Sequence, residues 1–390
     1  MVLGFKASGI HAGVKKTKDK DLGLIVSDVP AAVAGVFTKN QIKAAPVLLD
    51  IERIKSGVCC AVIANSGNAN CCTGEQGMKD AIRMAKAAAE KLGVAEEMVL
   101  VSSTGVIGQA LPVEKIESNI PQLFDALSSD GFLDFAESIM TTDTIPKKNS
   151  RTVTVAGKSF SITGVVKGAG MIRPDMATML SYVCTDIESD SLTLKEILTD
   201  AVNRSFNRIT IDGDTSTNDT VLILANGKSG LSINNVPVKN AFKNALEEML
   251  IELAKMVVKD GEGVTKLVEI NIHGAASDDD AGKMADTVAH SNLVKTAFFG
   301  EDANWGRIIG ALGRAGVPLN PDTIDISFND IMLVKNGLWC GADTEAKATK
   351  VMKLPEFAVK IDVHLGDGRA SCWTCDFSID YVKINADYRS

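Results

Sequence analysis

Short apolar runs of strand length alternate with amphipathic helical stretches along all 390 residues. This alternation confines the chain to α/β or α+β architecture. Residues 58–64 (VCCAVIA) read as a buried strand entering a polar loop at 65–68 (NSGN). Strict alternation at Val268, Ile270 and Ile272, and again at Val359, Ile361, Val363 and Leu365, predicts two half-buried strands. Met78, Ala81, Ile82, Ala85, Ala89 and Leu92 recur at helical spacing, and Gly93 supplies a C-terminal stop. Leu246, Met249, Leu250, Leu253, Met256 and Val257 mark a second amphipathic helix that ends before Gly261. Aromatic residues make up only 5% of the chain, so the core between these elements is mostly aliphatic.

At about 150 residues per domain, a chain of this length makes two or three units or one large α/β domain, and buries roughly three-quarters of its unfolded surface. Disulfides are not needed for folding. No long Pro/Gly/Ser linker divides the chain, so nothing indicates separately moving domains. Residues 143–151 (DTIPKKNSR) are polar and read as a surface connection. Lys and Arg total 41 against 49 Asp and Glu, a net charge of −8. That balance argues against nucleic acid as the main partner, because phosphate binding wants a basic surface. No apolar run approaches the roughly 18 residues of a membrane span. Residues 1–6 (MVLGFK) lack a signal-peptide pattern. The expectation is a cytoplasmic protein with a small-molecule ligand, no membrane contact and eight reduced cysteines.

Several common site patterns fail in detail. Cys372 and Cys375 have the C-x-x-C spacing, but their strand-like flanks lack the helix start that activates a redox thiol. They read as core thiols. Cys59-Cys60 and Cys71-Cys72 are adjacent pairs with no histidine nearby to complete a zinc site. Asp212, Asp214, Ser216 and Asn218 imitate the first ligands of a calcium loop, but Thr217 stands for its glycine and Ile223 for its closing glutamate. Gly227-Lys228-Ser229 lacks the earlier glycine of a phosphate loop, where Leu222 stands. No Ser-His-Asp set emerges around His11, His273, His290 or His364. Neither a metal nor a cofactor is expected.

Residues 167–180 (KGAGMIRPDMATML) are the most unusual stretch. Two close glycines and a proline before an apolar continuation hold irregular backbone. Taken alone, the stretch is a loop leading into a core element, with Thr178 as a capping hydroxyl. It also resembles the self-cleavage site of the glutamate N-acetyltransferase/ornithine acetyltransferase family of arginine biosynthesis. The resemblance extends over essentially the full chain. It takes in GIHAG at 9–13, FTKN at 37–40, AAPV at 44–47, NSGNAN at 65–70, STGVIG at 103–108 and TTDT at 141–144. It continues through NRITIDGD at 207–214, KDGEG at 259–263, ANWGR at 303–307 and YVKINADYRS at 381–390.

The fold implied by the resemblance is a layered αββα-type α/β sandwich, shared with self-processing aminopeptidases. The chain would cut itself between Ala177 and Thr178. An α chain of residues 1–177 and a β chain of residues 178–390 would then interleave in one fold and assemble as α2β2. The Thr178 hydroxyl would attack the Ala177 carbonyl, and water would hydrolyse the resulting ester. The freed α-amine, with a reference pKa near 8, can serve as base for the same hydroxyl. The implied reaction moves acetyl from N-acetylornithine to glutamate through an acetyl-threonine. The resemblance assigns the oxyanion hole to the Thr104 hydroxyl and the Gly105 N–H. It assigns substrate contacts to Lys167, Thr178, Glu262, Asn385, Ser390 and one or both of Thr141 and Thr142. Lys167 would meet a carboxylate and Glu262 an ammonium. Ser390 departs from a family that often ends in Thr but keeps the hydroxyl. Ala169 and Arg173 also depart, and neither removes the nucleophile. Three rival readings share these residues. Acetyl-CoA could be a second donor, the protein could be a threonine-dependent amidase or aminopeptidase, or it could bind amino acids without catalysis.

Overall fold

One long strand organises the first half of the fold. In the computed structural model, which describes residues 1–173 and 179–386, β1 (Phe5–Ile10) pairs antiparallel with the 16-residue β2 (Leu22–Phe37). Pro30 cannot donate to a ladder. Asp28, Val29 and Pro30 are exposed, and the register shifts between Val26 and Ala31. The bulge lies within the ladder to β3, which resumes at Ala31 opposite Cys59.

Next along the chain come α1 (Ala45–Arg53), β3 (Val58–Asn68), α2 (Gly74–Leu92), β4 (Val99–Val106), α3 (Val113–Asp125) and α4 (Phe132–Ser138). β5 (Lys147–Val155), β6 (Lys158–Lys167), β7 (Leu180–Thr185), α5 (Ser191–Arg204), β8 (Thr220–Ala225) and α6 (Val236–Lys259) follow. The strand order is β4-β3-β2-β8-β7-β6-β5, with β1 on β2. β3 pairs with β2 at Leu22–Val26 and at Ala31 and Ala32, and β8 pairs with it from Ala32 to Phe37.

Strand alternation sends successive side chains to opposite faces. Leu22, Leu24, Ile63 and Val101 pack under Met84 and Ala88 of α2 and Ile116 and Ile120 of α3. On the other face, Ile25, Val62 and Leu100 meet Val165, Tyr182 and Leu222 from the β6–β8 half, together with Phe135 of α4. Beyond that half, Phe160 meets Phe242 of α6 edge-on at 6.0 Å. The layers therefore run helix, sheet, sheet, helix, as the resemblance implies. The predicted helix stop holds too: Gly93 caps α2 in the left-handed conformation at φ 71°.

Residues 1–207 and 214–257 form this unit, and residues 208–213 with the chain from 258 onward form a second. The second unit contains β9 (Leu267–Ala275), α7 (Asp278–Ala289), α8 (Asn292–Phe299), α9 (Trp305–Leu312), β10 (Asp325–Phe328), β11 (Ile331–Lys335) and β12 (Leu338–Trp339). It ends with α10 (Ala342–Met352), β13 (Glu356–Asp362), β14 (Gly368–Cys375) and α11 (Ile379–Ala386). Its sheet order is β12-β11-β10-β13-β9-β14, with Val359 opposite Ile270 in parallel pairing. Ile270, Ile272, Val359 and Ile361 bury against Met284, Val288, Phe298 and Ile308. The strand predicted to reach Leu365 stops at Asp362, and His364 turns the chain with φ 51°. Cys372 and Cys375 lie buried in β14, as core thiols. No helix of the described residues is long and apolar enough to cross a membrane.

Two polar stretches differ from their sequence reading. Residues 65–68 are not a loop: they continue β3, and their polar groups are buried but matched, with Ser103 Oγ donating to Asn65 Oδ1 at 2.6 Å. Residues 143–151 are not a surface connection. Residues from Lys147 onward form β5, and Asp143 and Lys147 are fully buried as an ion pair at 2.7 Å. Charges spaced four apart in a polar run look solvated, but here each neutralises the other.

Candidate active site

β3 and β4 run parallel, with Ser66 opposite Thr104 and Gly67 opposite Gly105. Their ends approach closely because neither glycine has a side chain. A Cβ on Gly105 would lie 2.4 Å from the Gly67 carbonyl carbon, and Gly105 has φ +131°. Asn218, just before β8, holds this end in place. Its Nδ2 donates to Ala69 O at 2.6 Å and to Ser103 O at 2.8 Å. It is a structural clamp rather than the calcium ligand its spacing imitates.

The next strands carry the lysine. Thr220 N at the start of β8 donates to Met179 O at 2.9 Å, and Leu180 at the start of β7 pairs opposite Lys167 at the end of β6. Lys167 Nζ donates to Thr141 Oγ1 at 3.1 Å. Thr142 beside it is half-buried. Ser66 Oγ donates to Ser138 O at 2.6 Å, which ties the end of β3 to the turn leading into Thr141. Strand pairing and these bonds thus link Thr104, Gly105, Thr141 and Lys167 within the first unit.

Asp143 stands behind the lysine. Its Oδ1 accepts from Lys147 Nζ and from Gly168 N, both at 2.7 Å, and its Oδ2 accepts from Thr141 N at 3.0 Å. Burial pushes this carboxyl up, but Lys147 and Lys167 outweigh it and hold Asp143 at about 2. Asp143 therefore stays ionised and offsets one of the two lysine charges.

Glu262 and Asn385 belong to the second unit, where Asn385 Nδ2 donates to Glu262 Oε2 at 2.8 Å. Glu262 is buried. Of the two departures, Ala169 is buried, and Arg173 O accepts from Thr215 Oγ1 at 2.9 Å. Ala177, Thr178 and Ser390 lie outside the described residues. The sequence reading missed the Asp143–Lys147 pair; the four-residue spacing was its only signal.

A hydroxyl and a backbone N–H at one strand end, linked through neighbouring strands to a lysine, are group types that acyl-transfer sites use. The sequence profile of the ArgJ family matches residues 6–390, and the chain belongs to that family. The "Arginine biosynthesis bifunctional protein ArgJ" of Geobacter sulfurreducens is 52% identical over 391 residues, covering 100% of both chains. The protein of the same name from Syntrophotalea carbinolica is 52% identical over 393 residues, covering 100% of this chain and 99% of that one. A solved structure of arginine biosynthesis bifunctional protein argJ from Bacillus halodurans matches with a TM-score of 0.52 at 43% identity, covering 54% of this chain and 99% of that one.

Proposed function

We propose that this protein is the ornithine acetyltransferase of arginine biosynthesis, moving the acetyl group of N-acetylornithine to glutamate through an acetyl-threonine. The ArgJ family match along residues 6–390 carries the reading. The site geometry supplies parts that suit it.

In the proposed cycle the chain first cleaves between Ala177 and Thr178, and the new α-amine deprotonates the Thr178 hydroxyl. Thr178 attacks the acetyl carbonyl and ornithine leaves. The glutamate α-amine then takes the acetyl group from Thr178. Each tetrahedral oxyanion is met by the Thr104 hydroxyl and the Gly105 N–H. Lys167, fixed by Thr141, takes the substrate carboxylate, with Thr142 beside it. Glu262, held by Asn385, takes the ammonium, and Ser390 adds a hydroxyl. Residues 1–177 and 178–390 act as two chains of one fold, in an α2β2 assembly. Interleaving is supported by β7 and β8, which sit between β2 and β6 in the sheet. The proposed location is the cytoplasm, a reducing compartment in which the eight cysteines, six of them buried, stay as thiols.

A second activity, acetylation of glutamate by acetyl-CoA, is favoured by the word "bifunctional" in the names of the relatives.

The test is intact mass and amino-terminal sequencing, followed by assay of the same sample. Scaling 41.3 kDa by chain length gives fragments of about 19 and about 23 kDa if a threonine nucleophile is released. One of them begins at Thr178. Ornithine and N-acetylglutamate should appear together when both substrates are present, and Thr178→Ala should abolish cleavage and transfer. Donor hydrolysis without glutamate would point to the amidase instead. Substrate binding without turnover would leave only a binding protein.

A further inference from the structure

A second lysine stands beside the same strand ends. Lys15 lies in the loop between β1 and β2. Two backbone groups pin this loop to the buried carboxylate of Asp21: Ala12 N donates to Oδ1 at 2.6 Å and Lys15 N to Oδ2 at 2.9 Å. The Lys15 stem then crosses Gly67, where an added Cβ would come within 2.9 Å of Lys15 Cγ. Gly67 is the register partner of Gly105. The lysine stem therefore passes next to the paired glycines at the oxyanion end of β4.

The Lys15 ammonium is held in place without a carboxylate in ion-pair contact among the described residues. Its one hydrogen bond among the described residues goes to Lys20 O at 2.9 Å. An ammonium has three donors, so two remain for a further acceptor. Burial pulls Lys15 below its ordinary range, while Asp19, Asp21 and Asp143 pull it back up and Lys167 opposes them. Lys15 is thus within electrostatic reach of the Asp143–Lys167 cluster. Asp143 is already shared between Lys147 and Lys167 before Lys15 is counted. A half-buried cation in that position gains from an incoming anion.

We propose that Lys15 is a specificity-determining residue that binds the side-chain carboxylate of the acceptor glutamate, while Lys167 holds the α-carboxylate common to donor and acceptor. The inference rests on the acetyl-transfer reading above. N-acetylornithine and ornithine have one carboxylate, and glutamate has two. A site that accepts them in turn needs a second cation that only the acceptor uses. A lysine tied to a carbonyl oxygen rather than to a carboxylate suits that use, because it loses no ion pair in the other half of the cycle.

The test compares Lys15→Met and Lys15→Gln with wild type in two reactions of the cleaved enzyme. One is acetyl transfer from N-acetylornithine to glutamate. The other is exchange of labelled ornithine into N-acetylornithine, which uses the same nucleophile and oxyanion donors but no second carboxylate. Both variants should lose at least tenfold in kcat/KM for glutamate and keep ornithine exchange within twofold of wild type. Equal losses in both reactions overturn the proposal in favour of a structural role, as do glutamate values within twofold of wild type. Gln keeps an N–H for Lys20 O, so a loop that collapses only in the Met variant is recognised, and the Gln variant then decides. A wild-type enzyme that exchanges ornithine but does not use glutamate, or that does neither, overturns the acetyl-transfer reading and this proposal with it. That result differs from a competent wild type matched by both variants.

Discussion

Three donors converge on Asp143: the Lys147 ammonium and the N–H groups of Thr141 and Gly168. At the residue scale this carboxylate ties site geometry to stability. Its pKa is depressed in the fold, to about 2. The stabilisation is therefore present above the unfolded pKa near 4 and fades as pH falls from there toward 2, by roughly 2 kcal/mol in all. Urea titrations at stepped acid pH should show that loss in wild type and not in Asp143→Asn. At neutral pH, Asp143→Asn leaves Lys147 buried without its counter-charge and should cost about 3–5 kcal/mol of unfolding free energy. Gly105 makes a different demand. A Cβ there would lie 2.4 Å from backbone, so Gly105→Ala should displace the N–H and lower kcat about a hundredfold, read in the transfer assay.

At the scale of elements, the apolar patterns at 58–64, 78–92, 246–257 and 268–272 all find their strands and helices. Their periodicity reflects a face that must be buried whatever the partner is. The polar run at 65–68 misled for the opposite reason. A buried polar strand end depends on partners far along the chain, such as Ser103 and Ser138, that no local window contains. The cysteines give this scale its prediction. Burial pushes the thiols of Cys59, Cys60, Cys71, Cys184, Cys372 and Cys375 up, Cys372 to about 12. Cys72 and Cys340 are exposed. A thiol reagent at neutral pH should therefore label two cysteines in the native protein and eight after denaturation, counted by mass.

At the scale of the whole molecule, β7 and β8 lie between β2 and β6, and α6 carries the chain on toward the second unit. Cutting before Thr178 would leave β6 and β7 paired across six register positions, from Ile162 with Thr185 to Lys167 with Leu180. The two products should co-elute as one species in native size-exclusion chromatography and separate only in denaturant. Separation without denaturant would sink the interleaved-chain reading.

What the amino-acid sequence determined by itself was local or inherited. Period and turn chemistry specified the elements, and the long ordered motifs specified the family and its candidate residues. Only the tertiary structure decided that Thr141, rather than Thr142, meets Lys167, that Asn218 clamps the ends of β3 and β4, and that Asp143 and Lys147 are buried together. Such contacts join positions from 4 to 149 residues apart. Their free energy depends on desolvation and on partners brought in by packing, which periodicity along the chain does not encode.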